Sequence, residues 1–599
     1  MTRRHLPALL SFCLASTALA QQLMHWPVRG SREMVGAANN FEVEAGFRML
    51  ALGGNAIDAG VAATLAAAIT EQSRFGLGGE MPLIIKMKGQ PARIVSGVGI
   101  APKLATPEFY NTRPPQPWEN AERMSPIPAV GILAAITPGV FDGLMLALET
   151  NGTMSFAQVV APALEYADSF PIGDEYTSFI HSNQRMLMLW PTSREYFLIK
   201  DQPPAAGTLF HQPAIARTLR ELITVEKKTR GNRAKKIAAV RDYFYKGPLA
   251  KRIADFSEKN GGLIRYEDMV AGRASFDEPV TGTYRGYTIV KPGFWTQGPV
   301  MIQALKLLEN FELRAMGHNS TQYLHTVVEA VKLAFADRDR YYGDPKFSKI
   351  PSETLLSAEY AATRRRQIDS ARASMDHRPG VITGVAPLPS AASLSTSPRS
   401  NPADAQYATD TTCVNVVDKW GNVFSATPSG AWLPSVIAGD TGIPLSTRGQ
   451  SFVLTEGHAN RIAPGKRPRV TLSPTLVLKD GEPFLIMSTP GGDNQDQAML
   501  QVLLNVIDFN MGAQHAVEAP RFQTEHFYTW FAGHEFAPGR VNLERRLPPQ
   551  TIEGMRALGH QVELKGDWSN GSAPALIIMR DGVLDGGADP RRGRFIFGR

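Results

Sequence analysis

Residues Thr411 to Thr427 constrain this chain more than any other stretch. Thr411-Thr412-Cys413-Val414-Asn415-Val416-Val417 reads as a strand, Asp418-Lys419-Trp420-Gly421-Asn422 as a turn, and Val423-Phe424-Ser425-Ala426-Thr427 as a second strand, so the segment predicts a hairpin. Its first strand opens on two threonines. As β-branched residues they would fill a strand with no further role. A threonine hydroxyl becomes a useful nucleophile when a base stands beside it, and cutting the chain before the residue frees the residue's own α-amine for that task. With a reference pKa of about 7.7–8, such an amine is partly neutral near pH 7 and accepts a proton there. A site of this kind needs no histidine.

The segment resembles the γ-glutamyltranspeptidase family of N-terminal-nucleophile hydrolases, in which a precursor cleaves itself before the first threonine of T-T-x-x-x-V-V-D-x-x-G-N. The matching residues here are Thr411-Thr412, Val416-Val417-Asp418 and Gly421-Asn422. The likeness extends to Gly53-Gly54-Asn55-Ala56-Ile57-Asp58-Ala59, to Gly76-Leu77-Gly78-Gly79 with Glu80 where a further glycine is usual, and to Thr137-Pro138-Gly139-Val140. It also covers Ala163-Leu164-Glu165-Tyr166-Ala167 and Tyr284-Arg285-Gly286-Tyr287, the last expected within a strand.

The resemblance implies a cut between Asp410 and Thr411, with a large fragment 21–410 and a small catalytic fragment 411–599 remaining together as a heterodimer. It implies an α+β fold, the four-layer αββα sandwich of the N-terminal-nucleophile hydrolases. Element order alone predicts only helices covering stacked, mostly antiparallel sheets. Residues from about 377 to 409 are rich in Pro, Ser, Ala and Gly without an apolar period, so they read as a flexible connector that would let the new end at Asp410 move away.

Catalytic candidates follow from the same register. Thr411 is the nucleophile, and Ser429 keeps a hydroxyl where the family has a threonine beside it. Gly491 and Gly492 lie between a strand and a helix, where exposed backbone N–H groups suit an oxyanion. Asp493 follows them in the turn and joins Gln450, Ser451 and Thr471 as candidate substrate contacts.

The specificity residues depart from the family. Val98 stands where an arginine receives the substrate carboxylate, Gln450 and Ser451 replace two aspartates, Val470-Thr471 replace two serines, and Ala431 replaces an asparagine. A charged partner lost from a buried substrate charge costs about 2–5 kcal/mol. The expected substrate is therefore a small-molecule amide or peptide of γ-glutamyl or related acyl type. The departures favour an N-acyl, oxamate-like or β-lactam side-chain amide unless Arg448 or Arg469 takes over. The alternative of another class is an exported binding protein that keeps the fold without turnover.

Residues 1–20, with Arg3-Arg4, an apolar run from Leu6 to Ala15 and Ala18-Leu19-Ala20, read as a removable export signal, so a periplasmic or secreted protein is expected. The twin arginine resembles a Tat start, although the following residues fit it poorly. No later stretch has membrane-span length and apolarity, and a net charge of +7 without a basic tract argues against nucleic acid. Arg364-Arg365-Arg366 and Lys227-Lys228 read as solvated helix faces. The cysteines are Cys13, in the signal, and Cys413, read as a buried, inert strand residue. His325 and Glu329 fall one helical turn apart, but no third ligand is placed near them, so no metal and no cofactor are expected and the face reads as a buried polar contact.

Overall fold

A computed structural model of the chain describes residues 23–122, 124–385, 411–531 and 533–599. The expected signal, Asp410 and the connector from residue 386 lie outside them. Residues 377–385 are described, and they are tied to the helix Thr321–Tyr341: the Gly380 N–H donates to Asp337 at 2.7 Å and Arg378 pairs with Glu329 at 2.9 Å.

Two seven-stranded sheets face each other. One runs, in spatial order, through Phe595–Gly598, Met34–Ala37, Val414–Val417, Val423–Ala426, Met81–Lys86, Arg93–Gly97 and Ser275–Asp277, each pair antiparallel. The other runs through Val28–Gly30, Val583–Ala588, Ala575–Arg580, Glu482–Ser488, Thr475–Lys479, Tyr287–Lys291 and Val280–Tyr284. The predicted hairpin is thus near the middle of its sheet, Val414 facing Ala426 and Val417 facing Val423.

Strand alternation sorts the apolar side chains into three cores, which makes the four layers. Val417, Val423, Ile84, Leu476, Ile486 and Ile577 pack between the sheets. Val414, Val416, Phe424 and Ala426 point the other way, into helices that include Asn40–Ala51, Ala56–Thr70 and Val140–Asn151. Val477, Leu485, Met487 and Ile578 face the opposite helical layer, with Pro299–Leu308, Thr321–Tyr341 and Gln495–Ile507. The sequence-based α+β sandwich matches this architecture.

Two expectations change. Tyr284-Arg285-Gly286-Tyr287 is the turn of a hairpin rather than strand interior, because Arg285 (φ 49°) and Gly286 (φ 81°) both take the left-handed conformation that closes a two-residue turn. Arg364 is not on a solvated face: it is buried, and its guanidinium donates to the Leu333 carbonyl at 3.2 Å and Asp337 at 3.4 Å. Three consecutive arginines carry no period that would have singled out the inward one.

The helix Ala56–Thr70 is buried along its whole length and packs on the hairpin. Gly60 sits directly under the Phe424 ring, where an added Cβ would lie inside van der Waals contact. Gly60→Ala therefore overpacks the helix–sheet contact at about 1–3 kcal/mol, outweighing the roughly 1 kcal/mol that alanine gains over glycine in a helix. The expected outcome is a lower melting temperature by calorimetry; a rise would show that the ring moves aside freely. Cys413 is fully buried, and burial pushes its thiol up to about 11. A thiol reagent at pH 8 should leave the folded protein unmodified and label it fully after denaturation.

Candidate active site

The hairpin turn is built around one carboxylate. Asp418 Oδ1 accepts from the backbone N–H of Trp420 (2.9 Å) and Asn422 (3.0 Å), and Oδ2 accepts from Asn422 Nδ2 (2.8 Å) and from the Ala56 N–H (2.8 Å). Ala56 opens the helix that Asn55 caps, and Asp58 returns the bond to the Asn55 N–H at 2.9 Å. The two sequence segments that carry the resemblance at residues 53–59 and 411–422 thus meet through Asp418.

At the other end of the hairpin stands Thr411. It lies just before the strand proper, forms a bridge with Ser429, and is 3% exposed. Its Oγ1 is 3.1 Å from the Ser429 Oγ. The predicted pair of hydroxyls is therefore in contact.

Gly491 (φ 119°) and Gly492 (φ 54°) turn the chain from the strand Glu482–Ser488 into the helix Gln495–Ile507, a conformation in which a side chain is strained. Gln495, at the start of that helix, places its Nε2 3.4 Å from Thr411 Oγ1. This brings the glycine turn to the same place as the nucleophile candidate. Sequence reasoning missed Gln495; its position three residues past Gly492 was the available signal.

Asp493 lies in that turn, but its carboxylate is engaged: one oxygen pairs with Arg338 and the other accepts the Trp530 N–H at 2.9 Å. Arg338 is fully buried and also pairs with Asp339 at 2.8 Å. Ser451 is buried, its carbonyl accepting from Asn460 Nδ2 at 2.6 Å, while its Oγ, like the Thr471 Oγ1, has no partner among the described residues. Gln450 Nε2 reaches the Thr447 Oγ1 at 3.5 Å. None of these four brings a free charge to the site.

Val98 and Val470, two of the departures, belong to one apolar cluster with Trp295 between the sheets. Ala431 takes a φ of 55°, a left-handed conformation that asparagine tolerates better than alanine. Arg469 is stacked 3.6 Å over the Trp530 ring and donates to the Arg338 carbonyl at 2.7 Å. Burial first, and Arg338 second, pull its pKa well down.

Arg448 is placed differently. Its Nη2 donates to Ser429 Oγ at 2.8 Å, its Nε pairs with Glu80, and its guanidinium lies 4.7 Å over the Trp432 ring. Ser446 Oγ donates to the second Glu80 oxygen at 2.8 Å. Burial pushes the Glu80 carboxyl up, with Arg448 and Ser446 pulling it back down. The sequence marked Glu80 only as an unusual residue in a glycine turn.

The His325–Glu329 face does acquire the third group that the sequence did not place near it. His560, 235 residues away, comes to 2.8 Å from His325, and one ligand atom from each of the three residues falls within 4.8 Å of the others. The cluster is already paired: Lys332 contacts Glu329 at 2.6 Å, Arg378 contacts it at 2.9 Å, and His325 Nε2 meets the Asp369 carbonyl at 2.7 Å. Two cations on the only carboxylate oppose a divalent ion, so the donor set fits a hydrogen-bonded contact.

The Gamma-glutamyltranspeptidase family profile matches residues 43–598. The chain is 32% identical over 575 residues to the glutathione hydrolase-like YwrD proenzyme of Bacillus subtilis (strain 168), covering 95% of this chain and 98% of that one. It is 31% identical to the acylase ACY 1 proenzyme of Pseudomonas sp. (strain SE83), covering 94% and 92%. The crystal structure of cephalosporin acylase from Bacillus halodurans superposes with a TM-score of 0.81 at 26% identity, covering 98% of this chain and 99% of that one. With the hairpin, the glycine turn and the αββα layers in place, the chain belongs to the gamma-glutamyltranspeptidase family of N-terminal-nucleophile hydrolases and is an enzyme of that type.

Proposed function

We propose that this protein is an exported, self-processing acyl amide hydrolase whose nucleophile is Thr411 and whose substrates lack a zwitterionic γ-glutamyl end. The contact of Thr411 Oγ1 with Ser429 Oγ at 3.1 Å, next to the Gly491-Gly492 turn, carries this reading.

Cleavage of the Asp410–Thr411 bond frees the Thr411 amine. That amine takes the hydroxyl proton as Oγ1 bonds to the substrate carbonyl carbon, and the Gly491 and Gly492 N–H groups receive the oxyanion. The C–N bond then breaks, the leaving amine takes the proton from the Thr411 ammonium, and water releases the acyl group by the same steps in reverse. Asp493, through Arg338, holds the glycine turn from behind.

The two fragments stay together because they share a sheet. Val414–Val417 and Val423–Ala426, from the small fragment, are inserted between Met34–Ala37 and Met81–Lys86, from the large one. Export rests on residues 1–20; in the described residues no helix is long and apolar enough to cross a membrane.

The substrate assignment rests on charge. Val98 and Val470 lie in an apolar cluster, Gln450, Ser451 and Thr471 are uncharged, and Asp493 is occupied by Arg338. An α-amine and an α-carboxylate buried there would each lack a counter-charge, whereas neutral hydrogen bonds of about 0.5–1.5 kcal/mol each suit an uncharged or singly charged acyl group. The names acylase and cephalosporin acylase among the relatives accord with this choice.

On a denaturing gel the mature protein should run as fragments 21–410 and 411–599, and the smaller should begin TTCVNVVD on N-terminal sequencing. Thr411→Ala should give a folded, uncleaved, inactive chain, and Thr411→Ser should keep part of both activities. A processed, active alanine variant would remove Thr411 from the mechanism.

Among substrates, glutathione and γ-glutamyl anilides should show high KM and low kcat relative to an acyl amide without an α-amine. Val98→Arg combined with Ser451→Asp should shift kcat/KM toward the γ-glutamyl donor. An unmodified enzyme that prefers glutathione to every neutral amide would overturn the substrate assignment while leaving the nucleophile untouched.

A further inference from the structure

Glu80, Arg448 and Ser429 are all fully buried, and Thr411 is 3% exposed. A buried ion pair against a nucleophile is costly to desolvate and persists where its remaining polar atoms are bonded. Most are bonded here. Glu80 Oε1 takes the Arg448 Nε, Oε2 takes the Ser446 hydroxyl at 2.8 Å, and that same hydroxyl oxygen accepts the Arg448 backbone N–H at 3.1 Å.

The backbone adds a second tie. The Ser429 N–H donates to the Glu80 carbonyl at 2.9 Å, and the Glu80 N–H donates to the Ser429 carbonyl at 2.8 Å. Glu80 is therefore fixed to Ser429 through its main chain and to Arg448 through its side chain, and Arg448 returns to the Ser429 Oγ at 2.8 Å. This triangle leaves Ser429 little rotational choice.

We propose that Arg448, held by Glu80, is a positioning residue that points the Ser429 hydroxyl at Thr411 Oγ1 and strengthens it as a donor during attack. The proposal rests on Thr411 being the nucleophile. Its logic is a count of hydrogens. A guanidinium has donors only, so Ser429 Oγ accepts from Arg448. In the attacking state the single Thr411 hydroxyl hydrogen is committed to the α-amine. The 3.1 Å contact between the hydroxyls is then satisfied only if Ser429 donates. A donor that itself receives a bond from a cation is polarised and stronger, which stabilises the charge that grows on Oγ1 as its proton leaves.

A double-mutant cycle on kcat and KM, with a neutral acyl amide, tests the assignment. Arg448→Met should lower kcat about tenfold to hundredfold, less than the roughly hundredfold to thousandfold of a donor removed outright because Ser429 itself remains, with KM changed less than about threefold. In the Ser429→Ala background the same change should cost less than about threefold, because the residue it acts through is gone. Arg448→Lys should recover part of the rate.

Since Arg448→Met leaves Glu80 unpaired, the charge-neutral Glu80→Gln/Arg448→Met variant is measured beside it and should show the same kcat loss. Should either variant resist processing, the cycle is read on the self-cleavage rate of the purified precursor. There the Thr411 nitrogen is still an amide and another base takes the proton, but charge grows on the same Oγ1, so the same loss and the same coupling through Ser429 are expected, and their absence would overturn the proposal. A full loss on top of Ser429→Ala, or an effect confined to KM, would overturn the proposal. Thr411→Ala is run in parallel: activity there refutes the nucleophile, while an inactive Thr411→Ala with a non-coupled Arg448 refutes only the positioning role.

Discussion

The site depends on the carboxylate of Asp418. Four donors converge on it, three from the hairpin turn and one from the first residue of the helix Ala56–Thr70. A buried carboxylate with this many donors is firmly held, and a helix N-terminus is a favourable place for its charge. The hairpin is consequently attached at its turn to the helical layer, while its strands are zipped into the sheet on both sides. Thr411, at the far end of four paired residues, inherits that rigidity.

Around this anchor the polar interior is arranged in buried ion pairs that each hold one loop of the site. Glu80 and Arg448 hold the loop of Ser429 against the residues that precede the strand Met81–Lys86. Arg338 and Asp493 hold the glycine turn, and Lys291 with Asp496, 2.8 Å apart, holds the start of the helix behind it. Breaking one partner of such a pair typically costs about 3–5 kcal/mol, since the other charge is left stranded. The loops are thus stiff without disulfides, consistent with a chain whose one cysteine outside residues 1–20 is buried and unpaired.

The departures from the family pattern read in the sequence fall at positions proposed to meet substrate charge. Val98 and Val470 share an apolar cluster with Trp295, so neither position supplies a cation. Arg448, bonded to the Ser429 hydroxyl beside Thr411, is matched by Glu80, which stands where the resemblance expects a glycine. Each partner needs the other, because an unpaired Arg448 or Glu80 would be a buried charge without a counter-charge.

Much of this was determined by the chain itself. The β-branched and aromatic runs from Val414 to Val417 and from Val423 to Ala426 about the Asp418–Asn422 turn specify a strand pair, and the glycine turn at 491–492 suits left-handed backbone, because these are local properties of residue type and spacing. The register that proposes Thr411 as the nucleophile was likewise read from Thr411 and Asp418. Only the tertiary structure decided that Gln495 meets Thr411 and that Arg448 and Glu80 gather at Ser429 beside it. Gln495, Arg448 and Glu80 lie 84, 37 and 331 residues from Thr411 along the chain, and no local pattern encodes a contact at such separations. It decided, too, that Arg364 points inward and that His560 joins His325, since both depend on how the helix Thr321–Tyr341 packs rather than on what its neighbours in sequence are.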